Sequence, residues 1–214
     1  MKYFFYCAGG LGKEVKDIFL RNGEDFSSIQ FIDDLIEEKF IDEVSVSNFE
    51  SFLDQYKKSY KVNICHGEPE ARKTLLSKVK KAGVELFSVI SENSVISTKA
   101  KISDGCTICD FSIVANNAVL AENVLINANS IVGHDISIGS NTVISSKVNI
   151  GGNSIIGDTC YIGMGSTIKE GTKIGSNSII GMGSVVYSDI PDNVIALGNP
   201  ARVSRRNEAK KVFK

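Results

Sequence analysis

The chain has 214 residues, of which 43% are hydrophobic and 23% charged, so it can bury a core and is not disordered. The 24 Lys and Arg against 25 Asp and Glu give a formal net charge of −1, which argues against a nucleic-acid partner. No apolar run approaches the roughly 20 residues of a membrane-spanning helix, and Tyr3–Ala8 is too short for a signal-peptide core. We therefore expect a soluble, cytoplasmic protein.

The first ninety residues alternate between short apolar runs and helical patterns. Such alternation predicts a small α/β domain with a Rossmann-like parallel sheet over residues 1–90. In chain order we expect a strand at Lys2–Cys7, a helix at Lys13–Arg21, a strand at Ile29–Ile32, a helix at Phe49–Tyr60, a strand at Val62–Cys65, a helix at Glu68–Ala82 and a strand at Glu85–Ile90.

A glycine turn joins the first strand to the first helix. Its residues Gly10, Leu11 and Gly12 can present backbone N–H groups to a phosphate. Val15 occupies the third position of a dinucleotide fingerprint, which disfavours NAD and leaves a single nucleotide or nucleotide-sugar. The second strand ends at Asp33 and Asp34. On spacing alone these carboxylates either accept hydrogen bonds from a base or ribose or lie in a solvated turn.

A six-residue repeat governs the rest of the chain. From Ile96 to Val186 every sixth residue is aliphatic, in sixteen positions out of sixteen. A period of six fits neither a helix nor a long strand, and it predicts short strands joined by tight corners, three to each turn of a parallel β-helix. The residue after each aliphatic is small or can take a turn conformation in all but Lys169 and Tyr187. A β-sandwich would need longer and less regular turns.

The histidines and cysteines limit the chemistry. With only His66 and His134, a three-histidine metal site within one chain is impossible, and we expect no metal. Cys106 and Cys109 form a CxxC, but both occupy small positions of the repeat and are expected to pack structurally. His134 falls two residues after the inward Val132, so its side chain should leave the coil.

Four segments together carry a family resemblance. They are Cys7–Val15, Phe31–Asp34, Asn129–Asp135 and Gly198–Ala201. The chain resembles the bacterial hexapeptide-repeat sugar acyltransferases of the nucleotide-aminosugar N-acetyltransferase and sialic acid O-acetyltransferase type. The resemblance implies a left-handed β-helix over residues 91–200, a nucleotide-sugar-binding domain over residues 1–90, and a homotrimer that binds acetyl-CoA between neighbouring coils.

The resemblance also assigns roles to residues of the coil. It implies that His134 is the general base and that Asp135 orients its ring or stabilises the imidazolium. It gives the backbone N–H of Gly152 to the oxyanion and places Asn127 near the acceptor. The implied acetyl-CoA contacts are Gly152, Met164, Gly181, Met182 and Pro200.

In the N-terminal domain the resemblance implies nucleotide-sugar contacts at Gly10, Leu11, Gly12, Asp33, Asp34, His66 and Gly67. His66 ends a strand and precedes a helix, so it is either a ligand contact or an ordinary loop residue. The segment 201–214 is expected to be a basic tail, either solvated or in contact with the CoA phosphates.

The expected function is acetyl transfer from acetyl-CoA to a sugar. The first choice is N-acetylation of a nucleotide-linked 4-amino-sugar in bacterial surface glycan biosynthesis, by direct attack on the thioester with no metal. The alternative is O-acetylation of sialic acid or a related free sugar. The glycine turn with Asp33 and Asp34 favours the nucleotide-linked acceptor.

Overall fold

The structure, a computed structural model, describes residues 1–57 and 59–213. Its N-terminal domain is a parallel sheet with helices packed on it, and the strand order is β3-β4-β2-β1-β5-β6. A short 3-10 turn at Phe26–Ser28 precedes β2, and β3 pairs with β4 as an antiparallel hairpin. The elements are β1 (Lys2–Tyr6), α1 (Gly10–Arg21), β2 (Ile29–Ile32), β3 (Phe40–Ile41), β4 (Val44–Ser47), α2 (Phe49–Asp54), β5 (Tyr60–Ile64), α3 (Pro69–Lys81) and β6 (Glu85–Leu86).

Three parts of this domain differ from the sequence-based expectation. The strand predicted at Glu85–Ile90 is two strands, because the chain crosses from the domain to the coil between them: β6 pairs with β5, whereas Val89–Ile90 pairs with Thr107–Ile108 of the coil. The helix predicted to reach Tyr60 ends at Asp54, because Tyr60 already pairs with β1 as the first residue of β5. Lys58, within that predicted helix, lies outside the described residues. The β3-β4 hairpin was not predicted, because Asp42 and Glu43 form its turn with φ of 47° and 65°, without the Asn-Gly or Asp-Gly signal of a tight hairpin.

The coil is built from two-residue strands, each paired in parallel with a strand one turn away. The strands are β7 (Val89–Ile90), β8 (Val95–Ile96), β9 (Lys101–Ile102), β10 (Thr107–Ile108), β11 (Ile113–Val114), β12 (Val119–Leu120), β13 (Leu125–Ile126), β14 (Ile131–Val132), β15 (Ser137–Ile138), β16 (Val143–Ile144), β17 (Asn149–Ile150), β18 (Ile155–Ile156), β19 (Tyr161–Ile162), β20 (Thr167–Ile168), β21 (Lys173–Ile174), β22 (Ile179–Ile180) and β23 (Val185–Val186).

Within the described residues these strands form three faces of a prism. The first face contains β7, β10, β13, β16, β19 and β22, the second contains β8, β11, β14, β17, β20 and β23, and the third contains β9, β12, β15, β18 and β21. The first face is extended by β24 (Val194–Gly198) and the antiparallel β25 (Ala201–Arg206). The first six residues of the expected tail are therefore a strand of the coil, and Lys214 lies outside the described residues.

The six-residue repeat forms the core of the coil. Fourteen of its sixteen aliphatic residues, from Ile108 to Val186, are buried, and Ile96 and Ile102 pack partly buried at the first turn. Each inward aliphatic stacks on those of the turns above and below, which makes one continuous hydrophobic column.

The residue that follows each aliphatic is small because of how the turns stack, and the turn conformation itself lies elsewhere. Positive φ recurs three residues after the aliphatic, at positions such as Asn117, Asn129 and Asn153. The residue directly after the aliphatic is small because the next turn lies against it: a Cβ on Gly133 would lie 2.7 Å from the backbone nitrogen of Gly152. A small residue at this position therefore allows close stacking of the turns.

The N-terminal domain packs on the first face of the coil. Side chains of α1 and the sheet, including Phe5, Val15 and Phe19, share one buried cluster with Leu125 and Val143 of that face. Cys109 belongs to the same cluster and Cys106 to the column of the coil, as expected for structural packing. No helix among the described residues has the length and apolar character needed to cross a membrane.

Candidate active site

His134 lies at the corner between the second and third faces. It follows Gly133 after β14, its side chain is 56% exposed, and its Nδ1 lies 2.8 Å from an Oδ2 of Asp135. A carboxylate at Nδ1 favours the tautomer with the proton there, which leaves Nε2 as the basic nitrogen. The sequence-based expectation that this side chain leaves the coil is confirmed.

Asp135 is held in place from the neighbouring turn. The Nδ2 of Asn117 donates to Oδ1 of Asp135 at 2.9 Å, and His134 occupies the other carboxylate oxygen. These two hydrogen bonds, Asn117 first, lower the pKa of the Asp135 carboxyl. The carboxylate is therefore ionised near neutral pH and can stabilise the imidazolium that forms when His134 accepts a proton. Asn117 was missed from the sequence, because it resembles the other asparagines of the corners.

Gly152 lies one turn above His134 at the same corner. A Cβ on Gly152 would lie 2.7 Å from Cε1 and Nε2 of the His134 ring, so the ring rests directly over this glycine. Gly152 therefore lies against the ring nitrogen that we expect to act as base. The oxyanion role that the resemblance implies for this glycine stays a prediction.

We expect Gly152→Ala to lower kcat for acetyl transfer about 10-fold or more, because the added methyl group forces the ring of His134 to move. The loss of stability should be small, because the ring is the flexible end of the His134 side chain and can rotate away from the methyl group. Gly139→Ala serves as the matched control. A Cβ there would lie 2.6 Å from the backbone nitrogen of Asp158, away from His134, so it should lower stability and leave kcat per folded enzyme near wild type. Steady-state kinetics and thermal unfolding of both variants distinguish these effects.

The thiols are unsuited to carry an acyl group. Burial raises the pKa of Cys7, Cys109 and Cys160 to about 12 and that of Cys106 to about 11, and it raises the pKa of Cys65 as well. Protonated, buried thiols are poor nucleophiles. Among the described residues, no group of three or more His, Cys, Asp and Glu side chains is placed to hold a metal ion.

A cavity of about 650 Å³ opens in the N-terminal domain at the carboxyl ends of β1, β2 and β5. Ligands of open α/β sheets bind at this edge. Of the residues expected there, Gly10, Leu11, Asp33, Asp34, His66 and Gly67 line the cavity, together with Tyr6, Leu35, Ile36 and Leu75. Gly12 does not line it; its missing side chain makes room for the carbonyl oxygen of Cys7.

The two neighbouring carboxylates of the cavity have different partners. Asp33 accepts the backbone N–H groups of Ala8 and Leu35, each at 2.9 Å. Asp34 accepts from the Tyr6 hydroxyl at 2.6 Å, from Lys78 Nζ at 2.7 Å and from the Phe49 N–H at 2.8 Å. Both side chains therefore organise the rim of the cavity.

The pKa of Asp34 reflects this network. Partial burial opposes ionisation, but the hydrogen bonds from Lys78, Tyr6 and the Phe49 N–H outweigh it and lower the pKa of the carboxyl. Lys78 also lies 4.6 Å from the centre of the Phe49 ring. Tyr6 and Lys78 were missed from the sequence, because they are distant in the chain from Asp34 and carry no motif.

We expect Asp34→Asn to lower the free energy of unfolding at pH 7 by about 1 kcal/mol, after allowing for solvent screening of this partly exposed group. A carboxyl whose folded pKa is depressed contributes stability above its unfolded pKa of about 3.9, and this contribution is lost as the pH falls through the folded value. The difference between wild type and variant should therefore narrow below about pH 4. Urea unfolding at pH 3 and pH 7 measures it; an unchanged difference would contradict the ionic role.

His66 lines the cavity, and its ring is fixed at Nδ1. The backbone N–H of Glu68 donates to Nδ1 of His66 at 3.0 Å, so the neutral ring carries its proton on Nε2. Burial, followed by the nearby Arg72 guanidinium, lowers the pKa of His66, so the ring is neutral at pH 7. A neutral Nε2–H suits an acceptor oxygen of a base or phosphate.

Of the five expected acetyl-CoA residues, Gly152 lies beside His134 and the other four do not. Asn127, which was expected near the acceptor, also lies away from His134. Asn127 lies at the corner between the first and second faces, where it lines a separate cavity of about 330 Å³ with α1. Gly181, Met164 and Met182 lie at this same corner in higher turns, and the two methionines are exposed. Pro200 is exposed in the turn between β24 and β25. A single chain therefore divides the expected site between two corners of the prism.

Two family models match parts of the chain. Residues 2–79 match the family model of the PglD N-terminal domain, and residues 153–188 match the model of the bacterial transferase hexapeptide (six repeats). A comparison with curated protein sequences gave no match.

Several solved structures match over nearly the whole chain. WeeI from Acinetobacter baumannii AYE is 31% identical, with a TM-score of 0.89 over 95% of this chain and 99% of that one. The acetyltransferase domain of PglB from Neisseria gonorrhoeae FA1090, solved with acetyl coenzyme A, is 27% identical, with a TM-score of 0.89 over 94% and 98%. A histidine-to-asparagine mutant of perosamine N-acetyltransferase from Caulobacter crescentus, in complex with CoA and GDP-perosamine, is 22% identical, with a TM-score of 0.89 over 95% and 97%.

The fold is that of a hexapeptide-repeat transferase, with a left-handed β-helix behind a small α/β domain. The chain belongs to the bacterial hexapeptide-repeat sugar acyltransferases that carry a PglD-type N-terminal domain. The family expected from the sequence is therefore confirmed.

Proposed function

We propose that the protein transfers the acetyl group of acetyl-CoA to the amino group of a nucleotide-linked 4-amino-sugar. The observation that carries the proposal is the combination of an exposed His134–Asp135 pair on a hexapeptide coil with a cavity of about 650 Å³ at the ligand edge of the N-terminal sheet. The relatives solved with acetyl coenzyme A and with GDP-perosamine support the donor and the class of acceptor.

In the proposed reaction the acceptor amine attacks the carbonyl carbon of the thioester. A nitrogen–carbon bond forms, the carbon–sulfur bond breaks, and the CoA thiolate leaves. The proton of the amine passes to Nε2 of His134, and the Asp135 carboxylate stabilises the resulting imidazolium through Nδ1. The N–H of Gly152 donates to the oxygen of the tetrahedral intermediate.

We propose that each active site is built from two copies of the chain, in a homotrimer. The cavity belongs to the domain on the first face, whereas His134 lies at the corner of the second and third faces. Asn127, Met164 and Met182 lie at the opposite edge of the second face. A neighbouring copy that covers this face would bring its own His134 corner against them.

The surface of the second face supports this assembly. Val95, Ile113 and Ile131 point outward from adjacent strands in register, and between 37% and 63% of each residue is exposed. Aligned apolar side chains of this kind are typical of a surface that another chain covers. The stripe lies between the two corners that the proposed site must combine.

We propose a cytoplasmic location, with small-molecule substrates and no nucleic-acid or membrane partner. All five cysteines are free, which fits a reducing compartment. The net charge of −1 shows none of the excess of basic residues that is typical of a nucleic-acid-binding protein.

The test is release of free thiol from acetyl-CoA against UDP-, GDP- and dTDP-linked 4-amino-sugars and against free sialic acid. We expect turnover of at least one nucleotide-linked amino sugar and an amide in its product by mass spectrometry. Turnover of sialic acid alone would instead establish O-acetylation and leave the N-terminal cavity without a role. Thiol release that needs no acceptor would contradict both acceptor classes.

A further inference from the structure

The C-terminal segment after β25 returns to the N-terminal domain. Asn207 is buried and anchors the segment to the coil, with its backbone N–H on the carbonyl oxygen of Asn193 and its Nδ2 on that of Asn177, both at 2.8 Å. Five residues later the chain reaches Glu68. Residues 207–213 are called the strap below.

The end of the strap binds the loop His66–Glu68. The carboxylate of Glu68 accepts the backbone N–H of Val212 at 2.9 Å and that of Phe213 at 3.1 Å. The Phe213 ring meets Tyr161 of the first face edge to face, with 5.7 Å between ring centres. A Cβ on Gly67 would lie 3.8 Å from the same ring, so Phe213 also covers the loop.

The same loop lines the cavity of the N-terminal domain through His66 and Gly67. Glu68 links the two sides, since its carboxylate holds the strap while its backbone N–H fixes the His66 ring at Nδ1. Displacement of Glu68 would therefore release the ring from the orientation in which it lines the cavity. The strap and the cavity wall are connected through one residue.

We infer that the strap positions the His66–Glu68 loop and so sets the affinity of the cavity for its ligand. The inference rests on the proposed function only in taking that ligand to be nucleotide-linked. Glu68 and Phe213 are positioning residues: they act through His66, and neither is among the described residues that line the cavity.

The experiment compares Glu68→Gln and Phe213→Ala with the matched control Glu208→Gln, an exposed carboxylate of the strap. Amide hydrogen exchange reports the order of residues 64–70, and calorimetry with UDP, GDP and dTDP reports the affinity of the cavity. We expect exchange about 10-fold faster and nucleotide affinity about 10-fold weaker in both variants, with kcat at saturating substrates unchanged. Glu208→Gln should behave as wild type.

The remaining outcomes would overturn either the inference about the strap or the proposal of a nucleotide-linked acceptor. Exchange that stays at the wild-type rate would contradict the inference that the strap positions the loop. Faster exchange with unchanged nucleotide affinity would contradict the inference that the loop sets the affinity of the cavity. A wild type that binds none of the three nucleotides would instead overturn the nucleotide-linked acceptor, and the exchange rates alone would then support or contradict the ordering of the loop. A fall in kcat with unchanged KM would also contradict the inference about the strap, because the effect would then lie in the chemical step and not in ligand affinity.

Discussion

His134→Ala should lower kcat for acetyl transfer about 10²–10⁴-fold, the range that a positioned general base contributes. The amine must lose a proton as it attacks, and Nε2 of His134 is the basic nitrogen left free by the hydrogen bond between Nδ1 and Asp135. The side chain is more than half exposed, and its ring lies against Gly152 and the Asp135 carboxylate. Its loss should therefore change thermal stability little.

The measurement is steady-state kinetics of thiol release, with the affinity for acetyl-CoA measured in parallel. A KM for the acceptor within a few-fold of wild type would place the loss in the chemical step. Asn117→Ala provides a graded comparison, because it frees one oxygen of Asp135 without touching the ring, and we expect a smaller loss of kcat. Rates in His134→Ala that match wild type would exclude the histidine as base.

The largest loss of stability is expected for Arg72→Leu. The guanidinium is fully buried, and its five N–H donors reach only neutral acceptors: the carbonyl oxygens of Ile64, His66 and Asn123 and Oδ1 of Asn123, at 2.6–3.1 Å. Burial, the main influence, lowers its pKa to about 10, so it stays charged at neutral pH. The leucine would leave these oxygens buried without a donor.

We expect Arg72→Leu to lose about 3–5 kcal/mol of unfolding free energy, because a buried, fully hydrogen-bonded charge is removed and its acceptors stay in place. Arg72→Lys should recover little, since three donors on a point charge cannot span acceptors on both domains. Arg205→Leu, at an exposed position of β25, is the control and should lie within about 0.5 kcal/mol of wild type. Urea unfolding at one fixed protein concentration makes the comparison; equal losses in the two leucine variants would contradict the role of Arg72.

The coil was predictable because its periodicity is local and repeated. One aliphatic in every six residues fixes which side chain points inward, and the structure buries those side chains as expected. The reason for the small residue after each aliphatic was not predictable, because it depends on the distance to the next turn, as at Gly133. Stacking distance is a property of the assembled coil, and no separate sequence pattern encodes it.

The site was predictable where a motif carries it. The His134–Asp135 pair is adjacent in sequence, and its hydrogen bond follows from that adjacency and the corner. Contacts between distant residues were not predictable: Asn117 on Asp135, Lys78 on Asp34 and Glu68 on the strap join positions 18, 44 and more than 140 residues apart. Such pairs are formed by tertiary packing, and no local sequence pattern predicts them.

The central claim is that one copy supplies His134 and its neighbour supplies the cavity. Mixing two inactive variants tests it: His134→Ala, which lacks the base, and Ala71→Trp, which fills the cavity lined by Ala71. If sites form between copies, random mixing leaves about a quarter of them with an intact base and an intact cavity, so about a quarter of wild-type activity should return. Mixed oligomers, verified by mass spectrometry, that remain inactive would show that each site lies within one chain and would contradict the account.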